Sequence, residues 1–254
     1  MILSTHGIIG SQIQQFDLDY LAILNYATTQ GYTLPSSPQR NKQNKLLVDL
    51  KAAGVWSKLD TLSVFATDGN SDFALIDWKR LSQYTAINSP TFTTNQGFKG
   101  NGNSSYIDTN FNPSTSGVNY TLNNASRSAW VFDAISGRII DGLTAGSTND
   151  FATAISNQMR INCSVAPLSV SVNLEGNGLK NINRTSSLNV SVFNNTTQTN
   201  GTSSSTLINN NTQWILRRGA SYSNNGISFY AMGASLESEN TAFYNALNTY
   251  VTSL

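Results

Sequence analysis

Ile227-Ser-Phe-Tyr-Ala-Met-Gly-Ala-Ser-Leu236, running into Ser238-Glu-Asn-Thr-Ala-Phe-Tyr-Asn-Ala-Leu-Asn-Thr-Tyr250, is the stretch that decides the fold. Its first part reads as a strand. Ile227, Phe229, Ala231 and Gly233 fall on one face, and Tyr230, Met232, Ala234 and Leu236 on the other. Both faces are apolar, as in the middle of a packed sheet. The second part reads as a helix, with Ser238 as N-cap and Glu237 and Glu239 opposing its positive start. Phe243, Leu247, Tyr250, Val251 and Leu254 form one apolar stripe. Such a helix needs a surface to lie on, and the preceding strands supply one.

Those strands are expected at 91–98, 105–109, 128–134, 138–141, 151–156, 158–164, 187–193 and 213–217. Gly100-Asn-Gly102, Asp141-Gly142, Gly176-Asn-Gly178 and Asn225-Gly226 are read as the breaks between them, because these residues permit the positive φ of hairpin turns. Many short strands with regular turns predict a sandwich or jelly roll.

The front of the chain reads differently. Residues 1–16 show no period and are read as a terminus or a docking arm. A helix is expected over 17–30, with Leu18, Leu21 and Ala22 inward and Gly31 as its stop. A second helix has Ser37 as N-cap, Pro38 at its first position and Gly54 after its last turn. Its buried stripe is Leu46, Leu47, Leu50 and Ala53. A strand follows at 59–66. Asp68-Gly-Asn-Ser-Asp72 has the opening spacing of a calcium loop, but Phe73 replaces the required Gly and Lys79 the bidentate Glu. An Asx turn is the expectation, and no metal site.

Composition narrows the function classes. Over 254 residues, 15 Lys and Arg offset 14 Asp and Glu. Phosphate binding needs clustered cations, so nucleic acid is not an expected partner. The cations Arg40, Lys42, Lys45 and Lys51 are assigned to the solvated face of the second helix. Cys163 and His6 are each single in the chain, which excludes an intrachain disulfide or a Cys/His metal site. No basic-then-apolar leader opens the sequence, and no apolar run reaches membrane-spanning length, so no membrane insertion is expected.

Four phrases carry a resemblance. Gly97-Phe-Lys-Gly-Asn-Gly-Asn-Ser-Ser-Tyr-Ile-Asp-Thr-Asn110 resembles the opening of the concanavalin A-like (laminin-G-like) jelly roll of phage structural proteins. Arg184-Thr-Ser-Ser-Leu-Asn-Val-Ser-Val-Phe-Asn-Asn195 resembles their later hairpin, with Asn195 where Gly is usual. Gly233-Ala-Ser-Leu-Glu237 with Phe243-Tyr-Asn-Ala-Leu-Asn-Thr-Tyr250 resembles their closing strand and helix. Leu50-Lys-Ala-Ala-Gly-Val-Trp-Ser-Lys-Leu59 resembles their front end. The resemblance covers most of residues 37–254. It implies a mainly β, concanavalin A-like jelly-roll β-sandwich with N-terminal helices and a C-terminal helix. It also implies a division into a possible virion-docking region (1–58) and the sandwich with its closing helix (59–254). The implied function is a non-enzymatic virion component, as capsid decoration or head fibre. Its implied partners are other virion proteins of capsid or tail, and further copies of itself.

The alternative is a tail-associated adhesin for a host-surface glycan. Sugar sites stack a ring on an aromatic face and bind its hydroxyls through polar side chains. Among Tyr120, Trp130, Trp214, Tyr222 and Tyr230, the tryptophans lie in apolar strands and are read as core. Tyr222, with Asn224 in the same turn, is the candidate glycan contact. No catalytic residues and no cofactor are expected. Glycoside hydrolysis needs two facing carboxylates, whereas Asp108, Asp133 and Asp141 fall on separate strands.

Overall fold

The computed structural model describes residues 15–143, 150–156, 158–164 and 168–254. The sequence-predicted arm and His6 therefore fall almost wholly, or wholly, outside the described residues. The front elements are α1 (Leu18–Thr29), α2 (Ser37–Ala52), β1 (Leu59–Val64) and a single turn, α3 (Ser71–Ala74). Short strands follow: β2 (Ile76–Asp77), β3 (Ser82–Gln83), β4 (Thr85–Ile87), β5 (Thr91–Thr93), β6 (Gly97–Lys99) and β7 (Tyr106–Asp108). After the turn α4 (Pro113–Ser116) come β8 (Ala125–Phe132), β9 (Arg138–Gly142), β10 (Asp150–Thr153), β11 (Ile155–Ser156) and β12 (Val172–Asn173). The chain ends with β13 (Gly178–Arg184), β14 (Asn189–Asn194), β15 (Thr197–Thr202), β16 (Trp214–Ile215), β17 (Arg217–Arg218), β18 (Ser221–Tyr222), β19 (Gly226–Gly233) and α5 (Asn240–Thr252).

Two antiparallel sheets form the sandwich. The larger runs β15-β14-β13-β8-β19-β6-β5, with β1 also on β19; the smaller runs β10-β9-β16-β7-β4. The chain passes between them repeatedly, as from β6 to β7, β7 to β8 and β16 to β19, which is jelly-roll connectivity. The fold is thus mainly β, an antiparallel sandwich with helices at both ends.

The larger sheet is covered on both faces. Phe98, Ala129, Val131, Ile182, Tyr230 and Met232 pack towards the small sheet's Ile107, Ile140 and Ile215. Trp130, Leu179, Phe229 and Ala231 pack towards α1, α2 and α5. The molecule therefore has three layers: small sheet, large sheet, helices. The two-sided reading of this stretch holds within the strand and fails near both ends: Leu236, read on the face of Tyr230 and Met232, joins the helix-side cluster, and Ile227 changes face the other way. A bulge between Ile227 and Phe229 shifts the register, so Ile227 joins Tyr230 and Met232 in the core between the sheets. Such an extra residue turns the chain before it to the other face.

Other local expectations are corrected. In α1 the buried residues are Tyr20, Ile23, Leu24 and Ala27, while Leu18 is 76% exposed. That i, i+3, i+4, i+7 set starts on a tyrosine, whose hydroxyl is satisfied by Gln43 Oε1 at 2.7 Å. Ser36, not Ser37, caps α2, accepting from Gln39 N. Ser238 does not cap α5: Glu239 occupies the cap position without a side-chain bond, and Ser238 Oγ donates to Glu239 Oε1. Residues 91–98 are a hairpin rather than one strand, turning at Asn95 with φ +64°. Residues 158–164 are irregular, and Asn162 there supports Thr121 and Leu122 through its amide. The break read at Asp141-Gly142 falls at the end of β9, whose last residue is Gly142, and a Cβ there would sit 2.6 Å from the Arg218 side chain.

The 68–72 turn is spent on structure. Asp68 accepts from Ser36 N and Asn70 caps α3. No cluster of three or more His, Cys, Asp or Glu suited to a metal occurs among the described residues.

Candidate functional site

β17 and β18 pair as a two-residue ribbon, with Arg217 opposite Tyr222. Leu216, at φ +67°, separates this ribbon from β16, so the expected strand 213–217 is two pieces turned relative to each other. The turn gathers three rings from distant segments. The Tyr106 ring lies 5.1 Å from Trp214 and 6.2 Å from Tyr222. The Arg217 guanidinium sits over all three, at 3.8 Å from the Trp214 centroid, 4.5 Å from Tyr106 and 5.0 Å from Tyr222. Its Nε donates to Gly219 O at 2.8 Å. Cation–π attraction and this bond hold the cluster together.

Tyr222 and Asn224 are both half-buried. Asn224 lies beneath the Gly100-Asn-Gly102 loop, which rests on the 223–225 backbone. Gly102 N donates to Ser223 O, and Gly100 N to Asn225 O. A Cβ at Gly100 would be 2.0 Å from Ser223 O, so only glycine permits that approach. Asn224 Oδ1 is buried and has no hydrogen-bond partner among the described residues. Tyr222 and Arg217 thus bring polar groups to an aromatic cluster. Tyr222 turns one side of its ring to Arg217.

The other aromatics named from the sequence belong to the interior. Tyr120 donates to Asn162 Oδ1. Trp130 stacks on Tyr244 at 5.8 Å. Tyr230 is fully buried. Trp214 is 8% exposed and donates through Nε1 to Asp108 Oδ2. Sequence reasoning missed Tyr106 and Arg217 as neighbours of Tyr222. The one signal available was that Tyr106 alternates with Ile107 along its strand; the pairing that brings it to Trp214 is nonlocal.

The acids in the strands also have settled roles. Asp141, the penultimate residue of β9, is buried between the sheets. It is ion-paired with Arg127 and accepts from Tyr230 OH at 2.5 Å. Burial, together with the nearby Asp141 charge, pushes the Tyr230 phenol well above its ordinary range. Arg127 also donates to Arg160 O. Both side chains of this ion pair are inaccessible to solvent, so the network ties the sheets together rather than meeting a substrate. Asp133 is paired with Lys99 at the surface, 2.9 Å away.

No protein-family model matches the chain, and no curated protein matches it in sequence. Solved structures that resemble it include domain 4 of AbnA, an extracellular arabinanase from Geobacillus stearothermophilus, in complex with arabinotriose. That likeness has 14% identity and a TM-score of 0.46 and covers 74% of this chain and 98% of that one. Trypanosoma rangeli sialidase in complex with sialic acid resembles it at 10% identity and a TM-score of 0.48, over 75% of this chain and 33% of the sialidase. An arabinofuranosidase complexed with arabinofuranosyl-α-1,2-xylobiose follows at 9% identity and a TM-score of 0.39, over 66% and 44% of the two chains. This chain thus spans about a third of the sialidase and under half of the arabinofuranosidase. The sugars bound there belong to those proteins.

Proposed function

We propose that this chain is a non-enzymatic structural protein of a bacteriophage virion, exposed on the particle as capsid decoration or head fibre. The observation that carries the reading is the resemblance of four ordered phrases to phage structural jelly rolls. Each of the four is built into a joint of the sandwich. In the first, Asn101 Oδ1 accepts from the backbone of residues 103, 104 and 105, fixing the crossing from β6 to β7. In the second, Arg184 is buried and donates to Ile161 O and Ser203 O, and Asn195 turns the β14–β15 hairpin at φ +58°. In the third, Phe243 packs its ring 5.6 Å from Phe229. In the fourth, Lys58 O receives Ala234 N. Asp108 and Asp141 are each held by partners within the sandwich, and Asp133 pairs with Lys99 at the surface, which supports a non-catalytic role.

The implied partners are capsid or tail proteins and further copies of the chain. Mass spectrometry and cryo-electron microscopy of purified virions test this directly. The expected outcome is density for the sandwich at a fixed copy number on the particle. Its absence from virions would sink the reading.

A second reading, a tail-associated glycan adhesin, is favoured by the half-buried Tyr222 ring at the edge of the Tyr106, Trp214 and Arg217 cluster. It requires glycan binding that falls when Tyr222→Ala is introduced.

A further inference from the structure

The helix-side face of the large sheet is not covered to its end. Beyond α5, the strands β13, β14 and β15 leave a groove of about 420 Å³. Its polar lining includes Thr185, Asn189, Ser191, Asn200, Thr202 and Glu237. With Ser169, four hydroxyl residues, two amides and one carboxylate line it, with no Lys or Arg among the lining residues. Pockets of this size admit small ligands. This composition disfavours an anion and suits a neutral molecule rich in hydroxyls.

The floor supplies the second observation. Ser191 stands opposite Asn183 on β13 and opposite Asn200 on β15. Register partners send their side chains to the same face. Ser191 is 2% exposed and Asn183 fully buried. Ser191 Oγ and Asn183 Nδ2 have no hydrogen-bond partner among the described residues. The Asn183 amide cannot be turned over to cure this. Its Oδ1 accepts from Leu236 N at 2.7 Å, so Nδ2 is held away from that backbone. Two adjacent unsatisfied polar groups are costly in a buried floor. One is a donor only; the other can donate or accept. Ser191 lines the groove, so a ligand hydroxyl there can exchange a bond with Ser191 Oγ. Glu237 can accept from a neighbouring hydroxyl at the rim, where its Oε1 already receives Gln198 Nε2.

From this arrangement we infer that the groove over β13–β15 is a binding site for a neutral saccharide. The ligand is held by its hydroxyl edge, without ring stacking, and its deepest hydroxyl seats on Ser191. The site is separate from the Tyr222 cluster, which involves the small sheet's β7 and β16. It does not depend on the virion assignment.

The test is saturation-transfer NMR and calorimetry on the full chain with maltotriose, mannotriose, cellotriose and lactose as probes. At least one probe is expected to bind. Ser191→Ala is expected to weaken that binding about tenfold, as befits one buried hydrogen bond, while leaving the Tm unchanged or higher. A hydroxyl with only a structural role would lower the Tm instead. Glu237→Gln is expected to weaken binding with the fold intact, and Tyr222→Ala to leave it unchanged. Failure of all four probes to bind overturns the inference, as does binding that survives both groove variants. Binding lost with Tyr222→Ala alone overturns it in favour of the adhesin site.

Discussion

Tyr250 shows what a single side chain can join. Its hydroxyl donates to Ala66 O and accepts from Gln39 Nε2 and Gln43 Nε2. Gln43 Oε1 in turn accepts from Tyr20 OH. The network thus ties α1, α2 and α5 to the end of β1. Burial raises the Tyr250 and Tyr20 phenols above their ordinary range, so both stay protonated. Tyr250→Phe keeps the ring but strands two amides and a carbonyl. Chemical denaturation is expected to show a loss of about 2–3 kcal/mol. A loss below about 0.5 kcal/mol would mean that water replaces the hydroxyl.

Lys180 gives the pH counterpart. It is fully buried, and desolvation pushes its ammonium down to about 8 from an ordinary 10.5. Between those values the unfolded chain binds more protons than the folded one. Stability is therefore expected to rise with pH across that window, by at most about 1.4 kcal/mol per unit. Lys180→Met should flatten the slope in denaturation midpoints measured from pH 7.5 to 10. The sequence placed Tyr250 on the buried stripe correctly. Its role as a junction was hidden because Gln39 lies 211 positions away, and no local pattern marks a buried glutamine.

Among the elements, the most informative error concerns β13. No strand was expected at Gly178–Arg184, yet it lies near the centre of the large sheet, between β8 and β14. All seven of its residues are buried, including Lys180, Asn181, Asn183 and Arg184. Apolar alternation cannot reveal a strand whose buried polar side chains are held by neighbouring strands and helices, as Asn181 is by Asn240 Oδ1 of α5 and Ser128 Oγ of β8. β15 was missed for the opposite reason: Thr-Gln-Thr-Asn-Gly-Thr carries no apolar face at all. β19 was legible because both of its faces are apolar.

α1 offers a clean test of which helix face is inward. Ile23→Ala removes a fully buried side chain and is expected to cost about 2–5 kcal/mol. Leu18→Ala, at a position 76% exposed, is expected to stay within about 0.5 kcal/mol. The reverse order in urea titrations would restore the face first read from Leu18 and Leu21. Gly233 tests the close approach of β19 to β1. A Cβ there would stand 2.1 Å from Lys58 O. Gly233→Ala is expected to destabilise by more than about 2 kcal/mol, because backbone and not a movable side chain blocks it.

For the whole molecule, three layers change what the front of the chain is for. The sequence allowed residues 1–58 to be a docking region, with the sandwich standing apart. In the structure, Tyr20, Ile23, Leu47, Leu50 and Val55 share one apolar cluster with Leu62, Val64, Phe229, Phe243 and Leu247. The inward faces of α1 and α2 are thereby consumed, and a virion contact made by these helices would have to use their outward faces. Fold class was legible because turn chemistry and one two-sided strand sufficed; the layer count was not, because it depends on which surface the front helices choose. Expression of residues 59–254 alone decides how far that layer is needed. Without α1 and α2, the apolar face of β1 and β19 meets water, a large patch for a soluble domain. The shortened chain is expected to lose its cooperative thermal transition and near-ultraviolet dichroism and to bind a hydrophobic dye. A shortened chain that melts cooperatively near the Tm of the full protein would show that the sandwich and α5 stand alone. The front helices would then be free to serve a partner.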